Sequence, residues 1–159
     1  MTMTTKEAAA QFLAQRRIAV TGVSREPKGH GANIVYDRLR STGYEVFAVN
    51  PNADTLDGEP SYADLHAIPG GVDAVVIGTS PRHAEATVRE AVDLGIRHVW
   101  MHRSVDAGSV DADAVALGRE HGMTVIDGGC PLMYGPTADT GHRIMCRVLT
   151  WTGKVPRHV

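Results

Sequence analysis

Cysteine is scarce: only Cys130 and Cys146 occur in 159 residues. Two thiols cannot build a disulfide framework, so the composition predicts a reduced, cytoplasmic setting. No apolar run approaches the roughly 20 residues that a membrane-spanning helix needs, which predicts no membrane insertion. The opening stretch, residues 1–17, has no apolar core and carries its arginines after its apolar residues, the reverse of a secretory leader. Cationic excess is missing as well. With 16 Lys and Arg against 18 Asp and Glu, the formal net charge is −2, which lacks the broad basic footprint of a nucleic-acid binder. C-x-x-C and G-x-S-x-G are absent, which removes the simplest zinc and acyl-transfer signatures. What is present, 43% apolar and 21% charged residues, fits one globular domain.

The apolar periodicity alternates between two types. Lys6 to Gln15 has Ala9, Phe12 and Leu13 at helical spacing. Strands are predicted at Ile18–Val23, whose apolar content suits cover on both faces, and at Tyr44–Val49, Val72–Gly78, Ile96–Met101 and Met123–Ile126. Helices are predicted between them: Gly31–Arg40, stopped by Gly43; one from Pro81 to Gly95 with Ser80 as its cap; and Asp106–His121, stopped by Gly122. A last helix is predicted over Ala138–Trp151, capped by Thr137 and ended by Gly153. The long connection after the second strand offers a brief extended piece near Glu59 and a helical turn at Asp64–Ala67. Such alternation predicts an α/β, Rossmann-like parallel sheet with helices on both faces in a single domain. Three parts are expected: an N-terminal helix (1–15), the Rossmann-like body (16–134), and a C-terminal helical extension (135–159) packed on the same domain.

In this architecture ligands lie over the C-terminal ends of the strands. The loop after the first strand is glycine-bounded and charged: Gly22, Ser24, Arg25, Lys28, Gly29, His30 and Gly31 fall within ten residues. Cations beside a helix N-terminus make an anion site. The spacing departs from G-x-G-x-x-G at its second glycine. The second strand ends in Asn50-Pro51, where an NAD site wants an acid for the ribose hydroxyls. An amide there permits a nucleotide phosphorylated on its ribose, NADP included, with Arg25 or Lys28 as the cation. Alternatively, Asn50-Pro51 is turn chemistry alone.

"IAVTGVSR", "GYEVFAVNP", "LDGEPSYADLHAIPGGVDAVVI", "AVDLGIRHVWM" and the Cys130-Pro131 pair together resemble the small CoA-binding protein family, whose Rossmann-like domain is related to the nucleotide domain of the succinyl-CoA synthetase α subunit. The resemblance runs from about Arg16 to Pro131. It implies that coenzyme A or an acyl-CoA lies over the strand ends. It places the phosphates on the Val23 backbone, Ser24 and Arg25, with Lys28 assisting and Gly22 allowing the turn. Asn50 and Pro51 would border the adenosine end. Gly78, Thr79 and Ser80 would form the other wall with the helix beginning at Pro81, and Arg82 and His83 would stand in its first turn. "MHRS", Met101 to Ser104, departs from the family's glycine-containing turn. Gly135 to Pro156 extends beyond the common core and is expected to pack a helix on the sheet or on a second subunit, as in a homo-oligomer.

In the larger synthetases catalysis needs a phosphorylated histidine on a further domain. His142 lies in no matching motif. The expectation is therefore a stand-alone binding module without a complete catalytic site. The alternative is an NADP-dependent oxidoreductase, for which no Tyr-x-x-x-Lys pair stands out. Cys130 has two readings: a thiol that exchanges with the CoA thiol, or a small buried residue beside a turn-forming proline. A third functional reading is a redox or metal sensor, with Cys130, Cys146, His142 and His102 as four N/S ligands.

Overall fold

The computed structural model describes residues 2–26, 31–103, 108–153 and 155–159. In chain order the elements are α1 (Thr5–Leu13), β1 (Arg17–Thr21), α2 (Gly31–Ser41), β2 (Glu45–Val49), β3 (Thr55–Leu56), β4 (Glu59–Tyr62), β5 (Ala74–Ile77), α3 (Ala84–Asp93), β6 (His98–Met101), α4 (Ala112–Glu120), β7 (Thr124–Asp127) and α5 (Thr140–Trp151). The strands form one sheet in the order β3-β4-β2-β1-β5-β6-β7. Every pairing is parallel except β3 with β4. The fold is the expected Rossmann-like α/β domain.

Period-two alternation divides the core. Ile18 and Val20 of β1, Ala74 and Val76 of β5 and Trp100 of β6 point to one face, where Phe12 of α1, Val35 and Leu39 of α2 and Leu149 of α5 cover them. Ala19, Val75, Ile77, Val99 and Met101 point to the other, against Val88 and Ala91 of α3 and Ala114 and Val115 of α4. Both faces are thus sealed, which is why the central strands carry almost no polar residue.

The chain runs outward from β1 to β2 and then crosses back to β5 on β1's other edge. That reversal makes the β1/β5 boundary the switch point, and a crevice opens over it because the connections leave in opposite directions.

Several elements differ from their predicted bounds. β1 ends at Thr21, not Val23, because Gly22 turns the chain with φ +80°. The extended piece near Glu59 is a full two-strand addition: β3 and β4 form a hairpin, and β4 extends the parallel sheet through Ala48↔Ser61 and Val49↔Tyr62. Ser80 makes no side-chain cap; it precedes a 3₁₀ turn, Pro81–His83, and the α-helix begins only at Ala84. α4 begins at Ala112 with Asp111 accepting from the Ala114 N–H; residues 106 and 107 of the longer predicted helix lie outside the described residues. α5 is capped by Asp139, which accepts from His142 N–H. Thr137 is instead fully buried, its hydroxyl donating toward the Pro131 and Tyr134 carbonyls at 2.7 and 2.9 Å.

Candidate functional site

The site begins where β1 stops. A Cβ on Gly22 would lie 2.4 Å from the Gly78 carbonyl oxygen, and one on Gly78 would lie 2.6 Å from both the Thr21 oxygen and the Ala32 Cβ. Glycine at both positions lets the ends of β1 and β5 and the first turn of α2 close on one another. The Gly78 N–H donates to the Thr21 carbonyl and reaches the Thr21 hydroxyl, both at 3.1 Å.

Two amide side chains then fix the loop. Asn33, buried in the first turn of α2, accepts from the Ser24 N–H at 2.9 Å and donates to the Ser24 carbonyl at 2.8 Å. Asn50, at the end of β2, donates to the Val23 carbonyl at 3.0 Å and accepts from the Asn52 N–H at 2.8 Å. The described part of the loop is held from both sides by neutral groups, and the Ser24 hydroxyl accepts from the Glu26 N–H at 3.1 Å. Asn50 therefore does carry turn chemistry, but it also couples the β1 and β2 loops, an arrangement that an aspartate lacking the N–H₂ donor could not reproduce.

These loops wall a cleft of about 440 Å³ at the switch point. Of the residues singled out from the sequence, Gly22, Val23, Ser24, Asn50, Pro51, Thr79 and His83 line it. Gly78 stands behind Gly22 as packing. Arg25 is exposed, and neither it, Ser80 nor Arg82 is among the described lining residues. Arg82 reaches His83 instead, its Nε donating to His83 Nε2 at 3.2 Å. Lys28 lies outside the described residues. Thr79 Oγ1 is buried with no hydrogen-bond partner among the described residues.

Reading by sequence missed one wall. Ala63, Asp64 and Leu65 from the segment after β4, and Ala86, Thr87 and Glu90 from α3, form it, and Thr21, Val49 and Asn52 at the strand ends complete the lining. His83, Ala86, Thr87 and Glu90 recur at helical spacing and so share one face. Glu90 Oε2 accepts from the Leu65 N–H at 2.9 Å and lies 3.7 Å from His66 Nδ1, and Asp64 Oδ1 accepts from the Ala67 N–H at 2.9 Å. The described lining thus contains two carboxylates and one imidazole but no Lys or Arg. Arg25 and Glu26 are both exposed on the first loop, and the first turn of α2 holds no acid.

For metals, Asp64, His66 and Glu90 are the one group of three or more possible ligands that converges among the described residues. Both carboxylates already accept backbone N–H bonds. The Cys130, Cys146, His142 and His102 set does not converge. Cys130 is buried, and burial pushes its thiol up to about 12. Of the two readings of this residue, the buried packing residue is the one its surroundings fit. Its proton stays on in the folded state and comes off near 9 when unfolded, so this thiol contributes stability that is lost as pH rises from 9 through 12. A disulfide reagent at pH 8 should accordingly label no more than Cys146, which is partly exposed, in the native protein and both thiols in denaturant. Rapid native labelling of Cys130 would contradict its burial.

A family model described as CoA binding domain matches residues 16–136. Among curated proteins, the chain is 25% identical over 125 residues to the α subunit of an ADP-forming acetate–CoA ligase II from Pyrococcus furiosus, covering 75% of this chain and 27% of that one. It is 31% identical over 84 residues to an ADP-forming acetate–CoA ligase II from Archaeoglobus fulgidus, covering 52% of this chain and 12% of that one. The chain therefore spans about a quarter and an eighth of these relatives. Among solved structures, it superposes with a TM-score of 0.76 and 26% identity on Prb, a protein redesigned for binding, over 86% of this chain and 95% of that one. A hypothetical protein from Pyrococcus horikoshii gives 0.69 and 27%, over 76% and 82%. A dinucleotide-forming acetyl-coenzyme A synthetase from Candidatus Korarchaeum cryptofilum gives 0.58 and 25%, over 72% of this chain and 26% of that one.

Proposed function

The chain belongs to the CoA binding domain family, and from that premise we propose that it binds coenzyme A or an acyl-CoA in the switch-point cleft, as a binding module and not as a complete enzyme. The observation that supports this most directly is the position of the cleft: it opens at the β1/β5 reversal, inside the matched residues, between the glycine turn after β1, the end of β2 and the first turns of α3. In this reading the pyrophosphate meets Val23, Ser24 and the α2 N-terminus. Arg25 folds in from the surface, with Lys28 on the same loop. Asn50 and Pro51 border the adenosine end. Thr79, whose hydroxyl lacks a partner among the described residues, and His83 face the ligand from the other wall, which Gly78 and Ser80 continue, and Arg82 stands in the turn beside His83.

The two carboxylates fit one part of such a ligand better than the rest. Asp64 and Glu90 repel phosphate but accept hydrogen bonds from amide and amino N–H groups. Coenzyme A carries both kinds of group, so the phosphates belong on the glycine-loop side and the donors on the α3 side.

Calorimetric titration with coenzyme A and with NADP separates this reading from the oxidoreductase alternative. Coenzyme A should bind and NADP should not; tight NADP binding with coenzyme A silent would reverse the assignment. Arg25→Ala should weaken coenzyme A binding by about 1.5–3 kcal/mol, the loss of one charge-assisted hydrogen bond. An unchanged affinity would remove Arg25 from the site.

A further inference from the structure

A second and larger cleft, of about 890 Å³, lies between α1 and α5 and shares no lining residue with the first. Its volume is within the roughly 300–1,000 Å³ typical of small-molecule sites. Leu13 and Met133 are buried and form an apolar floor, with Ala10 and Pro136 beside them. Lys6, Arg143, Arg147 and Arg157 line the same cleft and are exposed. No Asp or Glu is among its described lining residues. None of the four cations forms an ion pair with a described residue, although the chain as a whole is acidic. Four like charges around one concavity repel one another, and no described carboxylate pairs with any of them. Tyr134, also in the wall, has its phenol raised above its ordinary value by burial and by the adjacent Cys146 thiol, so it stays an uncharged donor.

We propose that this cleft binds an anionic amphiphile, its apolar body on Leu13, Met133 and Ala10 and its carboxylate or equivalent anionic head between Arg143 and Arg147. These two arginines are one turn apart on α5 and share a face, which suits two-point recognition of an anion. The proposal is independent of the coenzyme A reading. A bilayer would be met differently: Ile144, Val148 and Trp151 form a separate exposed apolar stripe on α5 and do not line the cleft.

Decanoate, decan-1-ol and anionic phosphatidylglycerol vesicles test the assignment by calorimetry on the intact chain at low salt. Monomeric decanoate should bind, and decan-1-ol should bind about tenfold or more weaker, since it lacks the charge. The double variant Arg143→Gln/Arg147→Gln should weaken decanoate by about tenfold to a hundredfold, while coenzyme A binding stays as it was. Ala10→Trp, at an exposed position, should fill the floor and abolish decanoate binding with the circular dichroism spectrum unchanged. No heat with decanoate up to millimolar concentration, equal affinity for the alcohol, or an unaffected double variant would overturn the proposal. Association with the vesicles alone would also overturn it, in favour of a surface contact through the α5 stripe.

Discussion

Gly22→Val should cost about 3–5 kcal/mol of folding stability and abolish coenzyme A binding, the largest functional effect expected of any single change in the cleft. Two penalties combine. Gly22 holds φ +80°, which a β-branched side chain tolerates poorly. Its Cβ would also meet the Gly78 carbonyl carbon at 2.5 Å and the Thr79 nitrogen at 2.9 Å, all backbone, so no side chain can swing aside. Relief requires β1 and β5 to part at the point where the cleft is built. Urea unfolding read by circular dichroism gives the stability, and calorimetry gives the affinity. A stability loss below about 1 kcal/mol would show that the two strand ends are free to separate and would remove the rigid glycine turn from the account.

Much of this architecture was legible because the predicted strands are largely apolar and four of the five, all but β2, are followed by a helix that ends near a glycine. Legibility failed where local chemistry has two meanings. Thr55, Asp57, Gly58 and Pro60 read as turn residues, but only Asp57 and Gly58, at φ +49° and +78°, make the turn, while Thr55 and Pro60 pair across it. The turn they make, however, is a hairpin that adds two strands to the sheet, and only pairing with β2 reveals that. Ser80 and Thr137 are good cap residues by type. Pro81 opens a 3₁₀ turn that moves the true start of α3 to Ala84, and Thr137 is drawn inward by two carbonyls while Asp139 takes the cap.

The cleft was half legible for a related reason. Loop residues next to strand ends announce themselves by topology, so Gly22 through Ser24, Asn50, Pro51, Thr79 and His83 could be named from the sequence. Asn33 could not: a polar residue in a helix's first turn is ordinarily solvated, and its burial depends on the loop folding back over it. Thr87 and Glu90 read as the wet face of an amphipathic helix. The chain segment after β4 crosses that face, and Glu90 receives the Leu65 N–H there. Such contacts depend on where a connection runs, which periodicity does not encode.

Phe12→Ala should lower stability by about 3–5 kcal/mol while leaving coenzyme A affinity unchanged in the folded protein. Phe12 is 1% exposed and meets the Trp100 ring edge-on, with centroids 5.3 Å apart and planes at 87°. Trp100 is completely buried; its indole N–H donates to the Gly128 carbonyl at 2.9 Å and its ring tilts against Tyr134 at 5.5 Å. One aromatic side chain on β6 therefore joins α1, the strand β7 exit and the turn before α5. The chain's tail closes the same unit, because the Thr5 N–H donates to the Arg157 carbonyl at 3.0 Å and the Thr5 hydroxyl to the Pro156 carbonyl at 2.6 Å. If α1 and the tail are parts of one cooperative core, tryptophan fluorescence and far-ultraviolet circular dichroism of the variant should fall together in one transition at lower urea. Phe12 lines neither cleft, so ligand affinity below that transition should match the parent. A loss under about 1 kcal/mol, or a helical signal that melts ahead of the fluorescence, would mean that α1 is an appendage and that the Rossmann-like body is stable without it.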